Sequence, residues 1–293
     1  MMYFSLKEDM PIVIPMQVWE NETFDHASIQ VQLARLDLIH PDFGGNKYFK
    51  LKYNLIEARR QGKSTLRTFG GAYSNHIWAT AALGYHQNMQ TIGIIRGEET
   101  LPLNPVLAQA SAWGMSLQYV NRTDYRALKT GVSPCLPCEY VIPEGGSNLF
   151  AVQGCTEILP SIALPAYQYV AVPCGTGATL AGLVSTPGNI KARILGVSVL
   201  KGGDFFTAEV HKLLGAGGRQ VHQSFEILTA YHFGGYAKST PALKVFSEHF
   251  ATEYFALDEV YTAKMLYAIC NLAQQGYFPT GSTVVALVTQ RSL

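Results

Sequence analysis

The chain has 293 residues, 48% of them apolar and 15% charged, and its 22 Lys plus Arg against 21 Asp plus Glu leave a formal charge of +1. At roughly 150 residues per domain this length predicts two domains or one large one, and so apolar a composition excludes an extended disordered chain. The even charge balance, without any Lys/Arg run, argues against nucleic-acid binding.

In chain order, the opening MMYFSLKEDMPIVIPM has acids and a proline where a signal peptide needs an unbroken apolar core, and no 18-residue apolar run follows. The expectation is a soluble, cytoplasmic protein with no membrane segment. Leu51, Leu55 and Ile56 fall near helical spacing in Lys50 to Gln61, with Gly62 at the stop. Thr65 to Phe69 is short and β-prone and ends at Gly70-Gly71; Ser74-Asn75 then stand at or near the N-cap of an Ala-rich helix from Ile77 to Leu83. Thr91 to Ile95 predicts a buried strand, Asn104 to Trp113 a helix and Ser116 to Val120 another strand.

Thr130 to Glu139 carries Gly131, Pro134 and Pro137 and predicts a loop, and Pro143-Glu-Gly-Gly-Ser-Asn148 is a second break, a candidate crossing between domains. The five cysteines (Cys135, Cys138, Cys155, Cys174 and Cys270) are an odd, scattered set and read as free thiols. Cys135-Leu-Pro-Cys138 has the spacing of half a zinc site or a redox pair, but no partner pair follows at finger spacing, so no metal is expected. Val152 to Leu159 reads as a helix and Tyr169 to Val172 as a strand running into Cys174-Gly-Thr-Gly-Ala-Thr-Leu-Ala-Gly182. Ile194 to Leu200 repeats the strand pattern, Phe206 to Leu214 the helix, Leu257 to Ala273 a further helix and Val284 to Val288 a last strand. Strands alternating with helices predict an α/β fold with parallel sheets, in two lobes with a cleft between them.

Several short segments carry candidate chemistry. Gly175-Thr176-Gly177-Ala178-Thr179 lies between an apolar strand and the predicted helix Leu180 to Val184. Small residues there let backbone N–H groups approach a phosphate, and the two threonines add hydroxyls. No Gly-Lys-Ser/Thr follows, so it is not a P-loop, and Leu180 stands where a dinucleotide fingerprint needs its third glycine; a tight turn without a ligand is equally open. In Gly44-Gly45-Asn46-Lys47, upstream of the first predicted helix, the lysine is either a solvated turn residue or an amine able to form an imine with an aldehyde cofactor. Ser74-Asn75-His76 sets a hydroxyl, an amide and an imidazole at a helix start, where they can bind a carboxylate or ring oxygen or merely begin the helix. Tyr261, and Tyr236 between Gly235 and Ala237, are core or turn aromatics unless they line a cleft.

The order of these segments resembles the 1-aminocyclopropane-1-carboxylate deaminase/D-cysteine desulfhydrase family, a branch of the tryptophan-synthase-β-like enzymes that use pyridoxal 5′-phosphate. The resemblance spans roughly residues 35–286 and includes Gly44-Gly-Asn-Lys-Tyr-Phe-Lys-Leu-Lys-Tyr53, Pro143-Glu-Gly-Gly-Ser-Asn148 and Val260-Tyr-Thr-Ala-Lys264. It implies fold type II of the pyridoxal-phosphate enzymes: two open, twisted, mostly parallel sheets flanked by helices, with the cofactor cleft between two lobes. Residues 1–48 plus 149–293 would form the larger lobe and 49–148 a smaller inserted one, in a homodimer acting on a small amino acid.

By position, Lys47 resembles the lysine that holds the cofactor aldehyde and handles the substrate Cα proton, and Ser74 the catalytic serine. Asn75 would meet the ring O3′ oxygen, with His76 against the cofactor, and Gly175, Thr176, Gly177, Ala178 and Thr179 would cradle its phosphate. Tyr261, and by the same resemblance Tyr236, would face the substrate. Ring-opening deaminases typically carry a glutamate after this tyrosine, near the pyridine nitrogen; here Thr262 takes that cofactor-facing position. The neutral residue suits β-elimination, so the expected activity resembles D-cysteine desulfhydrase, giving pyruvate, ammonia and sulfide. The alternatives are 1-aminocyclopropane-1-carboxylate deamination, or a degenerate binding protein, because the chain stops after Thr289-Gln-Arg-Ser-Leu293 where relatives continue.

Overall fold

The computed structural model describes residues 12–130 and 136–290. A six-stranded sheet draws on both ends of the chain: β1 (Met16–Val18), β2 (Gln30–Ala34), β7 (Tyr169–Cys174), β8 (Arg193–Ser198), β9 (Phe225–Leu228) and β10 (Thr283–Leu287), in the order β1-β2-β10-β7-β8-β9. Only β1 runs antiparallel to its neighbour. A four-stranded, wholly parallel sheet uses the middle of the chain: β3 (Thr65–Gly71), β4 (Gln90–Arg96), β5 (Met115–Val120) and β6 (Glu139–Ile142), ordered β5-β4-β3-β6.

The helices are α1 (Glu22–Ala27), α2 (Asn46–Arg60), α3 (Asn75–Gln87), α4 (Pro105–Ala112), α5 (Arg122–Thr130), α6 (Leu149–Cys155), α7 (Ala178–Val184), α8 (Phe206–Ala216), α9 (Pro241–Glu253) and α10 (Thr262–Gln274). They cover both faces of each sheet, which is why the strands are continuously apolar. Side chains alternate across a strand. Val170, Val172, Val285 and Leu287 therefore join one core with Phe49, Leu55, Leu180 and Phe206, while Ala171, Val284, Ala286 and Val288 join a second with Phe24, Phe250, Leu266 and Ile269. In the smaller sheet adjacent Ile94 and Ile95 likewise face opposite cores, the first against Tyr125 of α5 and the second against Ile77 and Leu107.

Several expected elements begin elsewhere. The first long helix starts at Asn46, ahead of the expected Lys50, so Lys47 lies in its first turn and not in a loop upstream. Strands β3, β4 and β7 run one or two residues past the predicted ends, because parallel pairing continues to Gly71, Arg96 and Cys174. The helix expected over 152–159 is α6, displaced to Leu149–Cys155 by an Asn148 N-cap whose side chain accepts from Ala151 N. The last helix begins at Thr262, after a turn in which Asp258 accepts from the Val260, Tyr261 and Thr262 amides. Within the expected 130–139 loop, residues 131–135, including Cys135, lie outside the described residues; Cys138 is exposed. Among the described residues no helix is long and apolar enough to cross a membrane.

Candidate active site

The carboxyl ends of β3, β4, β7, β8 and β10 open onto one cavity of about 680 Å³, lined in part by Gly71, Arg96, Gly175, Leu200 and Thr289. Clefts beyond the carboxyl ends of parallel strands are where open α/β sheets bind ligands. Lys47, Ser74, Asn75, His76, Gly175, Thr176, Gly177, Thr179, Tyr236 and Tyr261 all line it, although they come from five separate stretches of sequence.

Lys47 reaches the cavity because α2 starts just before it. Gly45 precedes the helix at φ +80°, and its backbone passes so near β10 that a Cβ there would fall 1.9 Å from Thr289 O. The following residue, Asn46, is buried and does two things: its Nδ2 donates to Thr179 Oγ1 at 3.0 Å and its Oδ1 accepts from Lys47 Nζ at 3.0 Å. Burial and the neighbouring Lys50 cation push the Lys47 pKa down to about 7, so a large share of this amine is neutral near pH 7. An amine in that state can attack a carbonyl carbon and later exchange a proton.

At the other wall, Ser74 is the N-cap of α3 and its Oγ accepts from His76 N and Ile77 N, at 3.2 and 3.4 Å. The hydroxyl hydrogen remains available to a ligand oxygen. The Asn75 side-chain amide is bonded to Gln290, just past β10. Behind them His76 is buried with Nε2 2.8 Å from Thr68 Oγ1. Because that hydroxyl donates to Ile142 O, the ring must donate to it, which makes Nε2 the protonated nitrogen. Burial, Lys47 and Lys50 hold the His76 pKa well below 6.5, so the ring is neutral.

The glycine loop after β7 forms a further part of the wall. Gly175 must be glycine for contact reasons, since a Cβ there would lie 2.9 Å from Tyr261 Cε1. Lys50, three residues after Lys47 and so on the same helical face, points its Nζ at Thr176 Oγ1 (3.2 Å) and Gly145 O (3.1 Å). Burial lowers its pKa, and its hydrogen-bond partners are neutral oxygens. A cationic amine, a threonine hydroxyl and glycine-flanked backbone converging on one spot suit a phosphate. The aldehyde-reactive amine and this anion cradle, both lining one cavity, fit pyridoxal 5′-phosphate.

One sequence expectation differs from the structure. Thr262 does not line the cavity: as the first residue of α10 it is buried, and its amide donates to Asp258 Oδ2 at 2.9 Å. Neutral Thr289 and Gln290, after β10, line the cavity instead. The Ala178 side chain is also fully buried, which leaves only its backbone to the loop. Residues that sequence reading missed are Asn46, Lys50, Thr289 and Gln290. Only Lys50 carried a local signal, its three-residue spacing from Lys47. Tyr261 is half-buried, with its phenol held well above the usual pKa by burial and by Tyr236, whose ring crosses it edge-on at 6.1 Å.

His40, Asp42 and His86 bring metal-ligating atoms within 4.8 Å of one another. Their bonding is internal, however. His40 Nδ1 accepts from the Asp42 and Phe43 amides, and His86 Nε2 stands 2.6 Å from Asp42 Oδ2. The cluster ties a turn to α3.

A family model described as "Pyridoxal-phosphate dependent enzyme" matches residues 15–290. The chain is 28% identical over 292 residues to the "Putative 1-aminocyclopropane-1-carboxylate deaminase" of Pyrococcus horikoshii, covering 93% of this chain and 88% of that protein. It is 29% identical over 269 residues to the mitochondrial "Bifunctional D-cysteine desulfhydrase/1-aminocyclopropane-1-carboxylate deaminase" of Arabidopsis thaliana, covering 83% of this chain and 67% of that one. The crystal structure of a homologue of 1-aminocyclopropane-1-carboxylate deaminase superposes with a TM-score of 0.80 over 98% of this chain and 94% of the other, at 24% identity.

Proposed function

This chain belongs to the pyridoxal-phosphate dependent enzyme family, and from that premise we propose that it is a lyase releasing the β-substituent of a small amino acid, with D-cysteine as its simplest substrate. D-Cysteine and one water would give pyruvate, ammonium and hydrogen sulfide. The observation carrying this reading is that Glu144 is the only carboxylate lining the cavity among the described residues. It is already engaged by Lys129 at 2.7 Å and Tyr125 at 2.9 Å. Among the described residues no unpaired acid lines the cavity to keep a pyridine nitrogen protonated, which favours loss of a good leaving group over the deep charge delocalisation that opening a cyclopropane requires.

Bound pyridoxal phosphate supplies an electron sink for negative charge at the substrate Cα. Lys47 would hold the cofactor aldehyde; Lys50, Thr176, Thr179 and the backbone of 175–178 would hold its phosphate. Asn75 and His76 would stand against the ring. Ser74 donates its hydroxyl hydrogen to the substrate carboxylate. Lys47, with its pKa near neutrality, removes the Cα proton. Tyr261, kept protonated by its raised pKa, donates to the departing thiolate, and Tyr236 closes the cavity over the substrate.

Keto-acid release from D-cysteine, β-chloro-D-alanine and 1-aminocyclopropane-1-carboxylate tests this reading. Release from the first two and little from the third is expected. Strong turnover of the cyclopropane with none of D-cysteine establishes ring opening, and binding of all three without turnover makes the chain a non-catalytic member.

A further inference from the structure

Helix α5 places Arg122, Tyr125, Arg126 and Lys129 at offsets of three, four and seven residues, which is one helical face. Tyr125 turns inward from that face: it is buried, its ring meets Phe69 edge-on at 6.1 Å, and its hydroxyl donates to Glu144 Oε1. The three cations are thereby held around a fixed anchor. Arg96, the last residue of β4, joins them with its guanidinium 5.6 Å from the Tyr125 ring centre. Its Nη2 lies 3.5 Å from where a Cβ on Gly71 would stand, and Gly71 O accepts the Ser74 amide. Arg96 thus sits over the turn assigned to the substrate carboxylate.

These five residues line a recess of about 360 Å³; four of them are cationic and, among the described residues, no carboxylate is part of its lining, although Glu144 reaches Tyr125 and Lys129 from the neighbouring wall. Arg96 and Lys129 also line the main cavity, so the recess is a side arm of it. A merely solvated helix face would mix charges. Here Asp124, the acid on α5, points off the stripe and bonds Asn121 at 2.7 Å, while Glu144 on the shared wall is paired with Lys129.

We propose that this recess binds an oxyanion carried on the β-substituent of the substrate, so that the preferred substrates are amino acids with a phosphate-like or carboxylate-like group beyond Cβ. The inference rests on the β-elimination reading and narrows its substrate class. Guanidinium groups suit such anions because their planar N–H forks match the oxygen geometry. For O-phosphoserine, the Cα proton passes to Lys47 and the Cβ–O bond breaks with both electrons leaving on the phosphate oxygen. One water is consumed in releasing ammonium, so the products are pyruvate, ammonium and phosphate.

The test compares holoenzyme kinetics on both enantiomers of O-phosphoserine and of β-chloroalanine, using wild type and Arg122→Ala/Arg126→Ala, whose changes lie on the exposed side of α5. The expected result is a KM for O-phosphoserine raised about tenfold by the double substitution and further by salt, with β-chloroalanine kinetics within about twofold of wild type. Equal loss on both substrates, or no change on either, overturns the proposal. If β-chloroalanine is not turned over, the lyase reading itself has failed. Calorimetric titration with 2-amino-3-phosphonopropanoate against 2-aminobutanoate still decides the recess: tighter binding of the phosphonate that vanishes in the double variant supports it, and equal binding rejects it.

Discussion

The Nζ of Lys50 lies 3.2 Å from Thr176 Oγ1, a contact between residues 126 positions apart that joins the start of α2 to the glycine loop after β7. Lys50 is buried, and its amine is bonded to neutral oxygens, an arrangement that costs free energy until an anion arrives. Lys50→Ala is accordingly expected to weaken cofactor binding about tenfold to a hundredfold, the range for one charge-assisted hydrogen bond. Titration of cofactor-free protein by tryptophan fluorescence measures this, and an unchanged Kd would place the phosphate elsewhere.

The Lys47 amine titrates near 7 in the fold and near 10.5 when exposed. Between those values the unfolded chain holds more protons, so this group makes cofactor-free stability rise with pH from about 7 to about 10.5. Lys47→Met removes the titration. Its melting temperature is expected to exceed that of the wild type most at about pH 6, with the gap narrowing towards pH 10; a gap that widens with pH contradicts the assignment.

Asp258 holds the start of α10, accepting from Val260 N (3.1 Å), Tyr261 N (2.8 Å) and Thr262 N (2.9 Å). Asp258→Ala leaves those amides unpaired and should cost about 1–2 kcal/mol, with Asp258→Asn between it and the wild type. Since the same turn sets Tyr261, kcat should fall in the same order. Urea midpoints and initial rates on one preparation check both, and a kcat unaffected by the alanine would detach Tyr261 from the chemistry.

Gly45 combines a φ of +80° with a virtual Cβ 1.9 Å from Thr289 O. Gly45→Ala is therefore expected to destabilise the protein by about 2–4 kcal/mol and to shift Asn46 and Lys47 with it. Chemical denaturation reads the first effect and cofactor affinity the second. Wild-type values for both would mean that the α2 start tolerates displacement from β10.

Local pattern disclosed the parts of the site whose chemistry is written within a few residues: the lysine after Gly44-Gly45-Asn46, the capping Ser74 before Asn75-His76, and the Gly/Thr run at 175–179. What escaped depends on long-range contact. The buried pairing of Asn46 with Thr179 links positions 133 residues apart, and Gln290 matters because β10 delivers it to Asn75. Thr262 was misplaced for the same reason: its sequence neighbour Tyr261 lines the cavity, but the helix start turns Thr262 into the core. In the fold, strands buried on both faces stood out by continuous apolar runs. Edge strand β9, half-buried throughout, and α5, with a single deeply buried anchor in Tyr125, lacked that signal.

Every role assigned to the cavity depends on covalent attachment of the cofactor at position 47. Borohydride reduction of the holoenzyme followed by peptide mass mapping should find one reduced pyridoxyl phosphate on Lys47, and none on Lys47→Ala, which should be colourless. A label found on Lys50 or another lysine, or protein that stays unlabelled while saturated with cofactor, contradicts it.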